Sequence, residues 1–276
     1  MSLGKEWRTF NAVFRRNLRL FTSYSTWLIA TIIWPIPLLA MNIYQYLGVA
    51  SSSSVSTTLS QNYGLTLSGM IIVGTVVYLL YNRLLWSTGN SLQQERWMGT
   101  IDVLFLTPAS RLTMLLANGL SSLVEGAWWI VAIFLLNWFI FGIQLTVTSW
   151  PAVAITLVST MIALVAVGVF FASFFILSRA ADQMASSLQA PIRFFSGVAF
   201  PVAALPQALQ FVSLVIPVTF AISALRATLL SGGGLVDILN QLLPLYLFTA
   251  VFLFVGYFLL RIVEKRAKKD GSLYQM

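Results

Sequence analysis

Long uncharged stretches alternate with short charged ones along this chain. No Asp, Glu, Lys or Arg occurs at 20–82, 126–178, 194–225 or 238–260. A helix that crosses a bilayer needs about 20 predominantly apolar residues, so the two longest stretches are each long enough to hold two spans. The pattern therefore predicts an all-α integral membrane fold with six transmembrane helices, at about 24–47, 65–85, 112–142, 150–178, 184–200 and 236–262.

An amphipathic helix is predicted at 3–22, before the first span. Its apolar positions recur at spacings of three and four: Leu3, Trp7, Phe10, Phe14, Leu18 and Phe21. Basic residues lie mostly between them, which is typical of a helix in the membrane interface. Two interpretations stay open: a lipid anchor, or a lever that passes motion from a cytoplasmic partner to the first span.

Prolines interrupt the apolar run between the fifth and sixth spans. Pro201, Pro206 and Pro217 lie in a stretch without charge. Each removes a backbone donor and clashes with the preceding turn, so one straight helix is excluded. Broken backbone at membrane depth persists only where protein or a water-filled cavity covers it. The pattern predicts short re-entrant helices at 201–232, which we call the outer segment, beside a transport route.

The segment between the second and third spans mixes charges with apolar residues, as an inert loop would not need to. Gly99 offers a backbone break, Thr100 can cap a short helix, and Pro108 ends it. The apolar residues of this stretch include Trp97, Met98, Ile101 and Leu104. Exposed apolar residues on a short helix favour docking into a groove on another protein. We call 94–108 the cytoplasmic segment.

Composition and charge agree with a membrane protein of one domain. Hydrophobic residues make up 58% of the 276 residues and charged residues 9%, against about 25% charged in soluble domains. Basic residues cluster before the first span and after the last, so the positive-inside rule predicts that both termini are cytoplasmic. The net charge of +8 then reflects orientation and contact with anionic lipid headgroups, and we expect no nucleic-acid partner.

Several kinds of chemistry are excluded by missing residue types. The chain has no His and no Cys, so an imidazole base, a thiolate nucleophile and a His-ligated metal site are absent. It also has no lysine between Lys5 and Lys265, whereas a P-loop needs a lysine that reaches the phosphates. We expect no enzyme activity, cofactor or metal in this chain.

Two charged residues are predicted inside the membrane. Glu125 lies 14 residues after Arg111, and Arg193 lies within the predicted fifth span. An acid at such depth is costly and suggests function, and a pair between the two is possible. Whether that pair is structural or contacts a substrate stays open. Asn42 and Gln45, in the first span, are further candidates for lining a route.

These elements, in this order, resemble the permeases of ABC-2 type transporters. The ERWMGT and LTP stretches of the cytoplasmic segment resemble the coupling helix between their second and third spans. The proline pairs of the outer segment and its ALR stretch resemble their re-entrant helices: Phe200-Pro201, Leu205-Pro206, Ile216-Pro217 and Ala224 to Arg226.

The resemblance implies two permease chains side by side, as a homodimer or a heterodimer, each resting on a separate ATPase subunit that binds ATP and Mg²⁺. It implies export of a drug, a lipid or a glycan across a prokaryotic plasma membrane. The ATPase-docking residues would be Glu95, Arg96, Trp97, Met98, Gly99, Thr100, Ile101, Leu104, Thr107 and Pro108. The outer gate would comprise Phe200, Pro201, Leu205, Pro206, Pro217 and Arg226.

Two of these residues carry particular expectations. The resemblance implies that Glu95 holds the coupling region in place through charged contacts. Arg226 is expected where the outer segment meets water or headgroups. The alternative function is a secondary transporter or channel without an ATPase. A secondary transporter would usually show two similar halves and buried ionisable groups for ion coupling, and no convincing repeat is visible.

Overall fold

In the computed structural model of this chain, all regular secondary structure among the described residues is helical. The structure describes residues 3–24, 67–91, 110–141, 147–175 and 181–270, together with isolated positions between 26 and 44 and between 95 and 99. The helices in these ranges are α1 Leu3–Ser23, α2 Leu67–Leu84, α3 Arg111–Phe141, α4 Trp150–Phe175, α5 Ala181–Phe195, α6 Gln207–Val215, α7 Pro217–Leu229 and α8 Leu235–Asp270. A π-helical turn, Leu85–Gly89, continues α2.

Four of the described helices are long and apolar enough to cross a membrane. These spans are Gly69–Gly89, Arg111–Leu135, Trp150–Phe175 and Leu235–Ile262, and the bent pair of α6 and α7 adds a fifth if it is counted as one span. A multi-pass helical protein is therefore confirmed. The predicted first span at 24–47 falls mostly outside the described residues, and the total of six spans stays a prediction.

The predicted fifth span differs most from the structure. The prediction extended it to 200, which is wrong, because α5 ends at Phe195 and Gly197 turns the chain with a φ of +72°. Glycine adopts this left-handed conformation without the penalty that a side chain would incur. The 15 residues of α5 extend about 22 Å, which is short of the roughly 30 Å hydrocarbon core.

Prolines divide the outer segment as the sequence predicts. Pro201 precedes a short 3₁₀ turn, Pro206 precedes α6, and Pro217 is the first residue of α7. The axes of α6 and α7 differ by 95°. A proline is tolerated at a helix start because that position needs no backbone donor, so these residues begin new helices instead of distorting one.

Close packing of α4 with α8 forms much of the core. The Ser173 hydroxyl donates to the Gly256 carbonyl at 2.9 Å, and the Ser159 and Tyr246 hydroxyl oxygens lie 2.5 Å apart. Small side chains allow such approach, because Ala172 and Ser173 fill little of the space between the helices. α2 and α7 pack beside this pair.

Candidate functional site

Polar side chains attach α1 to the N-terminal half of α3. The Thr113 hydroxyl donates to the Glu6 carboxylate at 2.6 Å. The Asn17 amide donates to the side chains of Asn118 at 2.6 Å and Ser121 at 2.9 Å. The two helices run in the same direction past these contacts. α1 is therefore fixed to a membrane-spanning helix as well as being suited to the interface.

The aromatic residues of α1 form a stack separate from the polar contacts with α3. Trp7, Phe10 and Phe14 stack in sequence, with ring centroids 5.7 and 5.9 Å apart. Trp7 is 67% exposed, so the end of this stack is uncovered by protein among the described residues. This arrangement suits a helix that lays its aromatic side in the interface and holds protein through its polar side.

The start of the cytoplasmic segment touches α1. Glu95 lies 3.7 Å from the Arg16 guanidinium, and Arg16 precedes the α3-bound Asn17. Trp97 and Met98 are 62% and 66% exposed, and Gly99 has a φ of +69°, which confirms the predicted break. The remaining docking candidates lie outside the described residues: Arg96, Thr100, Ile101, Leu104, Thr107 and Pro108.

A cavity of about 740 Å³ lies between α1, the end of α2 and α3. Side chains of mixed character line it, including Tyr24, Trp86, Ser87 and Asn118. Its lining also includes the ion pair that Glu125 forms with Arg83. The Arg83 guanidinium additionally lies 6.0 Å from the centre of the Trp129 ring. The cavity thus offers hydrogen-bonding groups and apolar surface between these helices.

The ion pair corrects the pairing considered from the sequence. Glu125 meets Arg83 and not Arg193, because α2 and α3 are neighbours at this depth whereas Arg193 faces a different side of α2. Sequence reasoning missed Arg83 as a partner. A signal for it exists, since Arg83 is the first charge after the 20–82 stretch and lies within the predicted span 65–85.

α5 runs antiparallel to α2 and is joined to it by polar side chains, an arrangement that we call the α2–α5 seam. Its contacts include, from the C-terminal end of α2 toward its N-terminus, Asn90 to Asp182 at 2.7 Å, Asn82 to Gln189 at 3.5 Å, and the Arg193 guanidinium 5.8 Å from the Tyr78 ring centre. Sequence reasoning picked out Arg193 but not this periodic arrangement, which needs the register of the two helices.

Arg226 lies beyond the end of the seam that Arg193 and Tyr78 form. Its side chain is 7% exposed, so the expectation that it meets outer water or headgroups is wrong. Its Nε and Nη2 donate to the Met70 carbonyl at 3.2 and 2.8 Å, and Nη2 also donates to the Val198 carbonyl at 2.9 Å. A guanidinium can be buried here because its donors in a fixed fork reach two backbone acceptors.

Comparison with known families agrees with this geometry. The family model described as ABC-2 type transporter matches residues 8–230, which include most of α1, the cytoplasmic segment and the outer segment through α7. This chain belongs to the ABC-2 type transporter family. It is a multi-pass membrane permease of an ABC transporter, the transport component and not the catalytic one. Membership implies association with an ATPase subunit and, typically, dimerisation. No curated protein matches the chain.

The other outer-gate candidates lie in or next to the short helices that the prolines of the outer segment begin. Leu205 is buried and its carbonyl accepts a 2.8 Å hydrogen bond from the Gln210 amide. The Phe200 ring lies 5.4 Å from that of Phe194, edge to face. Pro217 is buried at the start of α7, whereas Pro206 is exposed before α6.

Asn42 and Gln45, the remaining candidates for lining a route, lie outside the described residues. Among the residues that the structure describes, no group of three or more acidic, His or Cys side chains is placed to hold a metal ion.

Proposed function

We propose that this permease is the membrane-spanning subunit of an ATP-driven exporter, which moves a drug, lipid or glycan-type substrate outward across a prokaryotic plasma membrane. A separate ATPase subunit docks on the cytoplasmic segment and binds ATP and Mg²⁺. A second permease chain, identical or different, completes the transmembrane unit. Both termini lie in the cytoplasm, as the clusters of basic residues at the two ends of the chain favour.

The observation that carries this proposal is the contact between the cytoplasmic segment and α1. Glu95 pairs with Arg16, and the neighbouring Asn17 is hydrogen-bonded to α3. A push on the cytoplasmic segment would therefore reach α3 through α1 by direct contacts. This supports the lever interpretation of α1, while its exposed aromatic residues still allow it to anchor in the interface.

The exposed side chains of the cytoplasmic segment support docking of a partner. Trp97 and Met98 are large, apolar and more than half exposed. Large apolar side chains on the cytoplasmic side gain from burial against another protein, and aromatic residues and Met are enriched in such interfaces. The cavity beside α1 supplies a compartment for a substrate that approaches from the cytoplasmic side, and the outer segment supplies the exit.

Co-purification tests the docking. The permease is expressed together with a candidate partner ATPase, and the ATPase recovered per permease is measured. We expect recovery to fall at least tenfold for Glu95→Arg and for deletion of 97–106. Asp237→Arg is the matched control, since it makes the same charge reversal at the start of α8, where the Asp237 carboxylate accepts from the Gly234 amide.

A charge exchange separates loss of contact from loss of folding. In the double variant Arg16→Glu with Glu95→Arg the ion pair is restored in reverse, so we expect recovery of the ATPase to rise again. Full retention of the ATPase by both the Glu95 and the deletion variants would refute docking at this segment. ATP-independent transport by the purified permease would instead favour the secondary transporter or channel.

A further inference from the structure

Arg226 ties three separate parts of the permease together. It lies in the last turn of α7, and it donates to carbonyls of α2 and of the turn that follows α5. Hydrogen bonds from an ionised donor are roughly twice as strong as neutral ones. Arg226 is thus a strong polar connection between the outer ends of α2 and α5.

Gly74 makes this connection possible. A Cβ at position 74 would overlap the Val198 carbonyl oxygen and would lie 2.9 Å from Nη2 of Arg226. Only a residue without a side chain lets the turn after α5 approach α2 so closely. The close approach of the turn to α2 and the hydrogen bonds of Arg226 therefore both depend on the part of α2 that contains Met70 and Gly74.

The seam contacts nearest to Arg226 each lie close to the distance limit for their kind of contact. Asn82 and Gln189 are separated by 3.5 Å, at the limit of a hydrogen bond, and the Arg193 guanidinium lies 5.8 Å from the centre of the Tyr78 ring. Two glycines with positive φ bound the outer segment, Gly197 at +72° and Gly232 at +65°. The outer segment lies between these two turns, and Arg226 joins it to both sides of the seam.

We propose that Arg226 is the positioning residue that holds the outer end of the α2–α5 seam closed, and that outward release requires its hydrogen bonds to Met70 and Val198 to break. This inference rests on the proposed function for its orientation and its direction of transport. It adds the residue that keeps the exit shut, and it places the opening between α2 and the turn after α5.

Single cysteines test the proposal, since the natural chain contains none. Ser196→Cys is the reporter, because Ser196 is 1% exposed, lies two residues before Val198, and has a hydroxyl oxygen without a hydrogen-bond partner. Labelling by a membrane-impermeant maleimide is followed in intact cells and in inverted membranes that contain the permease with its ATPase. Ala203→Cys, in the exposed 3₁₀ turn, reports which side the outer segment faces.

We expect Arg226→Met to accelerate labelling of Ser196→Cys from outside roughly tenfold, with Arg226→Lys in between. A lysine keeps the charge but lacks the fork that reaches two carbonyls. Arg261→Met is the matched control, because it removes an arginine that stacks on Tyr257 at the other end of the molecule. Gly74→Ala should accelerate labelling like Arg226→Met, whereas Gly4→Ala, which has open space around it, should not.

Each failure has its own signature. Unchanged labelling in Arg226→Met, with or without a lower midpoint of thermal unfolding, would overturn the proposal and leave Arg226 a static brace. Equal acceleration at Ala152→Cys, a buried position at the outer end of α4, would mean general loosening and would also overturn it. If Ala203→Cys labels only in inverted membranes, the orientation in the proposed function is wrong, and the Arg226 comparison is made from that side.

Discussion

Two arginines, Arg226 buried and Arg83 partly buried, show how single residues carry charge inside this permease. Arg83 is neutralised by Glu125, whereas Arg226 satisfies backbone carbonyls. Placing a charge within a bilayer costs free energy unless the charge is paired or hydrogen-bonded. Both arginines have such partners. The Arg83–Glu125 pair also lines the cavity beside α1, where a substrate would meet it.

Glu125→Gln should destabilise the permease by about 3 kcal/mol, because breaking a buried ion pair leaves the other charge without compensation. The measurement is the midpoint of thermal unfolding in detergent, followed by tryptophan fluorescence. Arg83→Met combined with Glu125→Leu removes both charges and should recover much of the loss. If Glu125→Gln leaves stability and assembly unchanged and alters only which compounds are moved, Glu125 contacts substrate instead.

Among the elements, α1 combines two surfaces that a simple amphipathic helix would not need. Its aromatic stack is uncovered at Trp7, while Glu6 and Asn17 reach α3. An apolar face alone would let α1 slide in the interface. Directional hydrogen bonds fix its position along α3, which is what a helix needs in order to transmit movement.

Asn17→Ala should release α1 from α3 without disturbing the membrane core. Two side-chain hydrogen bonds are lost, at about 1 kcal/mol each, and Asn118 and Ser121 are left to other partners. We expect amide hydrogen exchange in 3–23 to become roughly tenfold faster, with rates in α4 unchanged. Thr22→Ala is the control, since its hydroxyl bonds to carbonyls of its own helix. Equal exchange in the two variants would contradict the docking role of Asn17.

Across the permease as a whole, α2 is joined to its neighbours differently from α4 and α8. α4 and α8 pack through small and aromatic side chains with hydroxyl hydrogen bonds among them, whereas an ion pair and amide contacts join α2 to α3 and α5. Apolar packing in a membrane is rigid because it is dense, while a few polar contacts can exchange partners. The helices around α2 are therefore the ones that we expect to move during transport.

The orientation of the permease in the membrane makes a separate prediction. With both termini cytoplasmic, Ser2→Cys and Ser272→Cys should react with an impermeant maleimide only in inverted membranes. Thr148→Cys, exposed between α3 and α4, should react only in intact cells. The clusters of basic residues at both ends are the physical cause, because such residues are retained on the cytoplasmic side. Labelling of Thr148→Cys from the cytoplasmic side would reverse the topology.

Features that depend on local chemistry were predictable from the sequence. Uncharged stretches of sufficient length located the helices that include α3, α4 and α8, and the prolines at 201, 206 and 217 located the starts of the outer pieces. The length of a span is set by the thickness of the bilayer, and a proline breaks a helix because it has no backbone N–H to donate. Both effects can be recognised within one continuous stretch of sequence. The order of the elements also sufficed to indicate the family.

Only the packing of the helices shows which polar groups contact one another. The sequence suggested Arg193 as a partner of Glu125, and only the neighbours of α2 showed that Arg83 is the partner. Arg226 looked like a boundary residue because positive charge next to an apolar run usually marks an interface, and its distances to Met70 and Val198 reveal a buried guanidinium instead. Pairings between helices depend on register and rotation, and residues 156 positions apart in the chain leave no local pattern for them.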